Sequence, residues 1–401
     1  MIQLYIFLFL TILLAVTSIG VILSGILTLI ARLRNKHNKK LLVRLRRMAF
    51  AFAVILMLNI GLVVVSQNTA FTPPIVDASG NVRAGSIAEL TQVELNGRKQ
   101  WISIRGWDQS RPVLLFLAGG PGGTQMSAVR YELAELEKHF VVVNWDQPGA
   151  GKSYYAEKTK NITVETYIQD GYALTEYLKD RFGLDKIYMV GESWGSALGV
   201  FLVDRFPSSY HALIGTAQMI DFAETERIDY ARAVELATNN GDDAVMQRLV
   251  KNGPPLYYGK DVTWKSGAYL NYLSAHMANN PAINDPNYNT IRNIGASEYG
   301  LLDKVNYARG VINTFNQVYQ QLYEIDFRSD YTKLDVPVFF FLGRHDENAP
   351  HELVEEYVEV LDAPKKEIVW FEHSGHSPWI NERDKFAQCV ITYFLEMKAE
   401  D

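Results

Sequence analysis

The stretch Ile187-Tyr188-Met189-Val190-Gly191-Glu192-Ser193-Trp194-Gly195-Ser196-Ala197 decides the fold of this chain. Ile187–Val190 is a short continuous apolar run, the pattern of a strand buried on both faces. Ala197–Phe206 follows with helical character until Pro207 stops it. Between them, Gly191-Glu192-Ser193-Trp194-Gly195 fits G-x-S-x-G, which chance supplies about 0.1 times in a chain of this composition. Strand, pattern and helix in direct succession are far more specific. The two glycines permit a sharp strand-to-helix turn that holds a serine hydroxyl exposed at the end of a sheet. The bland alternative is an ordinary serine in a Gly-rich turn.

A serine hydroxyl at its free pKa is a weak nucleophile and needs a base, itself oriented by a carboxylate. The run Val336–Leu342 ends in Gly343-Arg344-His345-Asp346-Glu347, which sets Asp346 in the turn beyond a strand. Glu367–Phe371 ends in Glu372-His373-Ser374-Gly375-His376-Ser377-Pro378. Of eight histidines, only His373 and His376 follow this last strand, and His376, after Gly375, is the better placed. The order Ser193, Asp346, His376 is that of a nucleophile-elbow hydrolase. His373, His345 and Glu347 read as structural groups; His37, His139, His211 and His276 carry no signal. An acyl-transfer oxyanion also needs aimed N–H donors. Ala118-Gly119-Gly120-Pro121-Gly122-Gly123 follows the run Pro112–Leu117, and Gly120 N–H and Trp194 N–H are the two candidates. A phosphate loop is the rival reading, but no Lys-Ser/Thr follows it.

Further out, Thr91–Leu95 and Gln100–Arg105 flank Asn96-Gly97 and read as a hairpin. Phe140–Trp145 and Ala212–Thr216 are further strands. Val164, Tyr167, Leu174, Leu178 and Phe182 recur at helical spacing, and a last helix is expected from Pro378 to Met397. Strands alternating with helices predict an α/β fold with a mostly parallel, doubly wound sheet. Residues 219–330 break the rhythm and read as a helical insertion, with helices at Ile228–Leu236 and Val311–Leu322.

The N-terminus is different in kind. Ile2–Ala31 and Met48–Val65 are uncharged runs of 30 and 18 residues, against the ~20 needed to cross a bilayer as helix. Arg32, Arg34, Lys36, Lys39, Lys40, Arg44, Arg46 and Arg47 separate them. Residues 1–70 thus carry +8 and the remainder −14, within a total of −6. This split excludes a nucleic-acid binder and predicts an acidic domain on a membrane anchor. A cleaved signal peptide would need a charged start and a shorter apolar core. The positive-inside rule keeps a basic loop at 32–47 in the cytoplasm and puts the catalytic part on the outer face of the cell membrane. Thr72-Pro73-Pro74 reads as a stiff exit linker. The expected domains are an anchor at 1–70, hydrolase core at 71–218, helical cap at 219–330, and core again at 331–401. The lone Cys389 excludes a disulfide framework and a Cys-rich zinc site. No cofactor or metal is called for.

Three blocks carry a family resemblance: Gly119-Gly120-Pro121-Gly122-Gly123, Asp146-Gln147-Pro148-Gly149-Ala150-Gly151-Lys152-Ser153, and Gly191-Glu192-Ser193-Trp194-Gly195-Ser196. Together they resemble the α/β-hydrolases of the proline iminopeptidase type, peptidase family S33, whose patterns are H-G-G-P-G, D-Q-R-G-x-G-x-S and G-G-S-W-G-S. The resemblance covers roughly residues 91–218 and 331–398 and implies a cap between the sixth and seventh strands. Ala118 replaces the family's His and Pro148 its common Arg. Members that remove an N-terminal residue hold the substrate ammonium with cap glutamates, often in a W-x-x-W-E context that Trp264 lacks. Glu224 and Glu226 are candidates by position alone, as is Asp221. Glu192 has two readings, tuning of His376 or a hydrogen-bonded structural role.

The resemblance implies a serine aminopeptidase acting through an acyl-enzyme on short peptides. The alternatives are a carboxylesterase or lipase acting on acyl esters, and a non-enzymatic surface receptor on the same fold. The sequence carries no signal for an oligomeric state.

Overall fold

Eight strands form one sheet in the order β1-β2-β4-β3-β5-β6-β7-β8: β1 Ile87–Leu95, β2 Arg98–Gly106, β3 Val113–Leu117, β4 Val141–Asp146, β5 Ile187–Glu192, β6 Tyr210–Thr216, β7 Val338–Gly343 and β8 Lys366–Phe371. The structure is a computed structural model that describes residues 2–36, 38–285 and 288–396. The expected helix end at Met397, the tail to Asp401 and His37 lie outside the described residues. β1 and β2 pair antiparallel across the Asn96-Gly97 turn, β2 pairs antiparallel with β4, and β3 to β8 continue in parallel. Every expected strand is present. The sheet is mostly parallel, as its apolar runs require.

Alternate residues of each strand feed opposite faces of the sheet. Val113, Leu115 and Leu117 enter one core layer with Trp145, Met189 and Leu198, while Leu114 and Phe116 enter the other with Val190, Phe341 and Phe386. All of these are buried; each large apolar side chain contributes roughly 1.5–3 kcal/mol by leaving water.

Residues 1–71 with 295–305 form one unit, and 72–294 with 306–401 a second. In the first, α1 (Ile2–Leu33) and α2 (Lys39–Asn68) are antiparallel, with Thr11 Oγ1 3.5 Å from Asn59 Oδ1. Both are long and apolar enough to cross a membrane, and large apolar side chains such as Phe9, Ile12, Ile19, Leu58 and Val65 stand exposed on them. The basic stretch departs from the expected loop at 32–47. Asn38 accepts N–H bonds from Lys40 and Leu41 and starts α2 at Lys39, so Lys39 to Arg47 are helical. Arg, Lys and Leu are good helix formers, and an Asn cap supplies the start signal. At the other end of α2, Ser66 Oγ accepts from Leu301 N at 3.0 Å, and Gln67 Nε2 donates to Asp303 Oδ1 at 2.8 Å.

In the second unit, Thr72 of the exit segment is tied to the sheet by Arg105 Nη1, 2.8 Å from Thr72 Oγ1. Helix α3 (Val164–Phe182) opens on a Thr163 cap reciprocated by Thr166 and closes at Gly183. Helix α4 (Trp194–Arg205) is buried along Trp194–Val203. It starts three residues earlier than the sequence suggests, because the elbow is tight enough for Trp194 to be helical. Between β6 and β7 the described residues hold helices and no ladder strand, among them α5 (Phe222–Asn240) and α6 (Gly267–Ala278). The expected helix at Ile228–Leu236 lies inside α5. The one at Val311–Leu322 is a continuous helical stretch that changes pitch along its length. The last helix is interrupted at Glu382, between Pro378–Asn381 and Arg383–Ile391, and changes pitch over Thr392–Glu396.

Candidate active site

The turns after β3, β5, β7 and β8 lie at the carboxyl ends of neighbouring parallel strands, the edge where open α/β sheets bind ligands. Ser193 follows β5 with φ +53° and ψ −120°, a strained conformation for a residue with a side chain. The strain persists because its surroundings are fixed: Ser193 N–H donates to Thr216 O at 3.0 Å. Gly195 is required beside it, since a Cβ there would collide with the backbone at Leu117 and Ala118.

His376 Nδ1 stands 3.0 Å from both carboxylate oxygens of Asp346. Asp346 Oδ1 also accepts the N–H groups of Asn348 at 2.8 Å and Ala349 at 3.0 Å, which fixes the buried carboxylate. The turns of β7 and β8 are stitched by Arg344 N to Phe371 O and His345 N to Ser374 O, at 3.0 and 2.9 Å. Burial disfavours the imidazolium, but the charge and hydrogen bond of Asp346, with the charge of Glu192, outweigh it. They push His376 up to about 9. A quarter of the side chain remains accessible, at a cavity of about 170 Å³ lined by Ser274, Met277, Ile283, Tyr288, His376 and Ile380.

Gly120 has φ +136°, and a Cβ there would stand 2.6 Å from Gly123 N, so only glycine fits. Trp194 is the first residue of α4, where the N–H has no intrahelical acceptor. Two glutamines hold this loop: Gln147, which the sequence shows only as part of a motif, and Gln125, which carries no sequence signal. Gln147 Nε2 donates to Ala118 O at 3.3 Å while its Oε1 accepts from Trp194 Nε1 at 2.9 Å. Gln125 Oε1 accepts from Gly119 N at 3.3 Å. The Asp146 turn, conspicuous as a motif, is structural: its carboxylate accepts from Thr124 Oγ1 and Lys152 N.

The cap carboxylates need correction. Glu224 pairs with Arg328 Nη2 at 2.5 Å, in a cluster that also holds Asp221, Asp326 and Glu356. Glu226 is fully buried and accepts from Ser266 Oγ at 2.7 Å, Tyr319 OH at 3.0 Å and Tyr269 OH. Neither is free for an ammonium, because position beyond β6 does not tell which way a helical side chain points. One turn on, Asp229 is fully buried, and neither of its carboxylate oxygens has a hydrogen-bond partner. Burial, then the charges of Glu226 and Asp346, push its pKa well up. Glu347 next to Asp346 binds His276 Nδ1 at 2.8 Å through Oε1, and its Oε2 is buried without a partner. His276, silent in the sequence, thus joins α6 to the Asp346 turn. His373 is held by Glu382 and Ala282 O. Among the described residues no group of His, Cys, Asp and Glu is arranged to hold a metal ion.

An eight-stranded sheet with a serine elbow after β5 and an Asp–His pair after β7 and β8 defines a class. The chain belongs to the α/β hydrolase fold family, whose pattern matches residues 112–382. It is similar to a probable aminopeptidase, YbaC, of Bacillus subtilis (strain 168), with 28% identity over 315 residues, covering 76% of this chain and 96% of that protein. It is also similar to a proline iminopeptidase of Saccharolobus solfataricus, 25% identical over 299 residues, covering 71% and 84%. The proline iminopeptidase of Mycobacterium smegmatis shares the fold at TM-score 0.55 and 17% identity, covering 78% of this chain and all of that one. VinJ does so at TM-score 0.56 and 19% identity, covering 76% and 97%.

Proposed function

We propose that this chain is a membrane-anchored serine aminopeptidase that releases N-terminal residues from short peptides. Ser193 Oγ attacks the carbonyl of the first peptide bond, and His376 Nε2 takes its proton. Asp346, bonded at Nδ1, holds the imidazole in the tautomer that leaves Nε2 basic and stabilises the imidazolium. Gly120 and Trp194 N–H groups hold the oxyanion. His376 then protonates the departing peptide amine, leaving an acyl-enzyme. Water, deprotonated by His376, attacks that ester; the first residue leaves as a free acid and Ser193 regains its proton. Asp229 and the free oxygen of Glu347 hold the substrate ammonium.

The observation that carries the peptidase reading is Asp229. A buried carboxylate with no partner is costly, and its energy falls when a cation arrives. An ester of an uncharged acid gives it nothing to bind. The similarity to a probable aminopeptidase and to a proline iminopeptidase points the same way. Anchoring is supported by α1 and α2, 32 and 30 residues long with apolar side chains facing outward, and the eight cations of residues 32–47, at the turn and the helix ends beside it, favour a cytoplasmic hairpin tip and an external hydrolase.

The test is a paired screen of the purified full chain on aminoacyl arylamides, prolyl included, and on p-nitrophenyl esters of simple acids, with Ser193→Ala as control. The reading expects arylamide turnover that vanishes in Ser193→Ala. Ester turnover with idle arylamides makes the protein a carboxylesterase. No serine-dependent turnover of any substrate, with no labelling by a fluorophosphonate, leaves a receptor on a hydrolase fold.

A further inference from the structure

Glu192, the residue before the nucleophile, is 4% exposed at the end of β5. Its Oε1 accepts from Ser377 Oγ at 2.9 Å and from Trp379 Nε1 at 2.7 Å. Its Oε2 accepts from Gln125 Nε2, and Gln125 in turn accepts the Gly119 N–H. The fit against the glycine loop is close, since a Cβ on Gly119 would stand 3.1 Å from Glu192 Oε2. One carboxylate therefore touches partners from the turn after β3 and the turn after β8, from a seat beside the elbow. All three partners are donors. An ionised carboxylate is the acceptor-only group that satisfies them together.

We propose that Glu192 is a positioning residue: through Gln125 it aims the Gly119–Gly120 peptide at the oxyanion, and through Ser377 it seats the loop that carries His376. The proposal rests on the serine-hydrolase reading of Ser193, Asp346 and His376. Gln125 acts as an oriented relay. With its amide nitrogen committed to Glu192, its oxygen must face Gly119, which turns the Gly119–Gly120 segment in one sense. A neutral amide at position 192 breaks this polarity: it presents an N–H to one of the three donors, and a rotated Gln125 releases Gly119. The second consequence is electrostatic. Asp346 and Glu192 are the two anions that favour the His376 imidazolium; the Tyr288 and Tyr307 phenols also face Glu192 and stay neutral, pushed up by burial. Removing the Glu192 charge therefore lowers the pH at which His376 becomes a base.

The experiment follows the second-order rate of fluorophosphonate labelling of the full chain against pH, a readout independent of the natural substrate. Wild type labels and Ser193→Ala does not; failure of wild type to label removes the serine-hydrolase reading itself. Glu192→Gln is expected to lower the high-pH plateau about tenfold through the misdirected oxyanion donor. Its acid limb moves down by about one pH unit, a tenfold change in the imidazolium equilibrium. Gln125→Ala keeps the charge, so its plateau falls while its acid limb stays. Glu192→Asp restores the limb. A wild-type plateau and limb in Glu192→Gln overturn the proposal. So does an unchanged plateau in Gln125→Ala, which tests the relay even if Glu192→Gln does not fold.

Discussion

Asp346→Asn separates the orienting role from mere proximity and has a worked magnitude. In the native protein His376 rises from 6.5 to about 9, against burial that alone would lower it. At 1.36 kcal/mol per pH unit, that lift corresponds to roughly 3 kcal/mol of stability. Its sign is fixed by its direction. The folded pKa lies above the unfolded one, so the contribution is complete below pH 6.5 and fades as pH rises through 9. Asparagine removes the charge and presents an N–H to Nδ1, which favours the wrong tautomer. Turnover should fall about 10⁴-fold with the fold retained. The stability assay is denaturant unfolding of the full chain in detergent at pH 6 and pH 9.5. Wild type should lose roughly 3 kcal/mol more than the variant between those two values. In wild type, activity should rise with pH toward 9 as the imidazolium gives up its proton. Near-normal turnover in Asp346→Asn, with Glu347→Gln inactive instead, would refute the reasoning and move the orienting role to Glu347.

Acetylating the N-terminus of a good peptide substrate should lower kcat/KM at least ~100-fold, the scale of a lost buried charge pair; equal turnover of both forms would sink the ammonium site. Asp229→Asn should show a similar loss on free peptides and leave fluorophosphonate labelling of Ser193 unchanged, whereas Glu224→Gln should change kcat/KM little, since Arg328 occupies that carboxylate. A protease-sensitive tag at Asp401 should be cleaved on intact cells and one beside Asn38 protected; the reverse pattern would invert the topology. Arg328→Ala leaves Asp221, Glu224, Asp326 and Glu356 facing one another and should lower thermal stability by about 1–2 kcal/mol, part-exposed pairs contributing under about 1 kcal/mol each.

What could be read ahead of the structure follows from how each feature is encoded. Strands β3 to β7 are buried on both faces, so Val113–Leu117 or Val338–Leu342 stand out as unbroken apolar runs between turns. Ser193 and Asp346 sit in the turns after two such runs, His376 in the turn after the half-buried β8, and the elbow's steric demand shows as glycine. β1 was harder: Ile87–Leu90 alternates weakly, and its first half is recognisable only once Leu90 is seen opposite Ser103. The basic stretch at 32–47 reads as a loop because it separates two apolar runs, although Lys and Arg suit helices and Asn38 supplies the cap that starts α2 at Lys39. Asp229 and Gln125 left no trace. Each is an ordinary polar residue on a helix or at its start, and its importance comes from tertiary neighbours far away in sequence.

The junction of α2 with residues 295–305 bears on how the hydrolase can be handled by the cell. Phe71 N–H donates to Ser297 O at 3.0 Å, and Ser66 and Gln67 satisfy Leu301, Leu302 and Asp303. Leu4, Phe71, Ala296 and Tyr299 help line a hollow of about 430 Å³ there. An N-terminal pair of helices that served only as a tether would be dispensable once severed. Here a stretch that follows β6 in sequence depends for its hydrogen bonds on residues that precede β1. Cleavage after Phe71 would therefore remove the partners of Leu301, Leu302 and Asp303 and fray this stretch. The arrangement makes the hydrogen bonding of residues 295–305 depend on the end of α2.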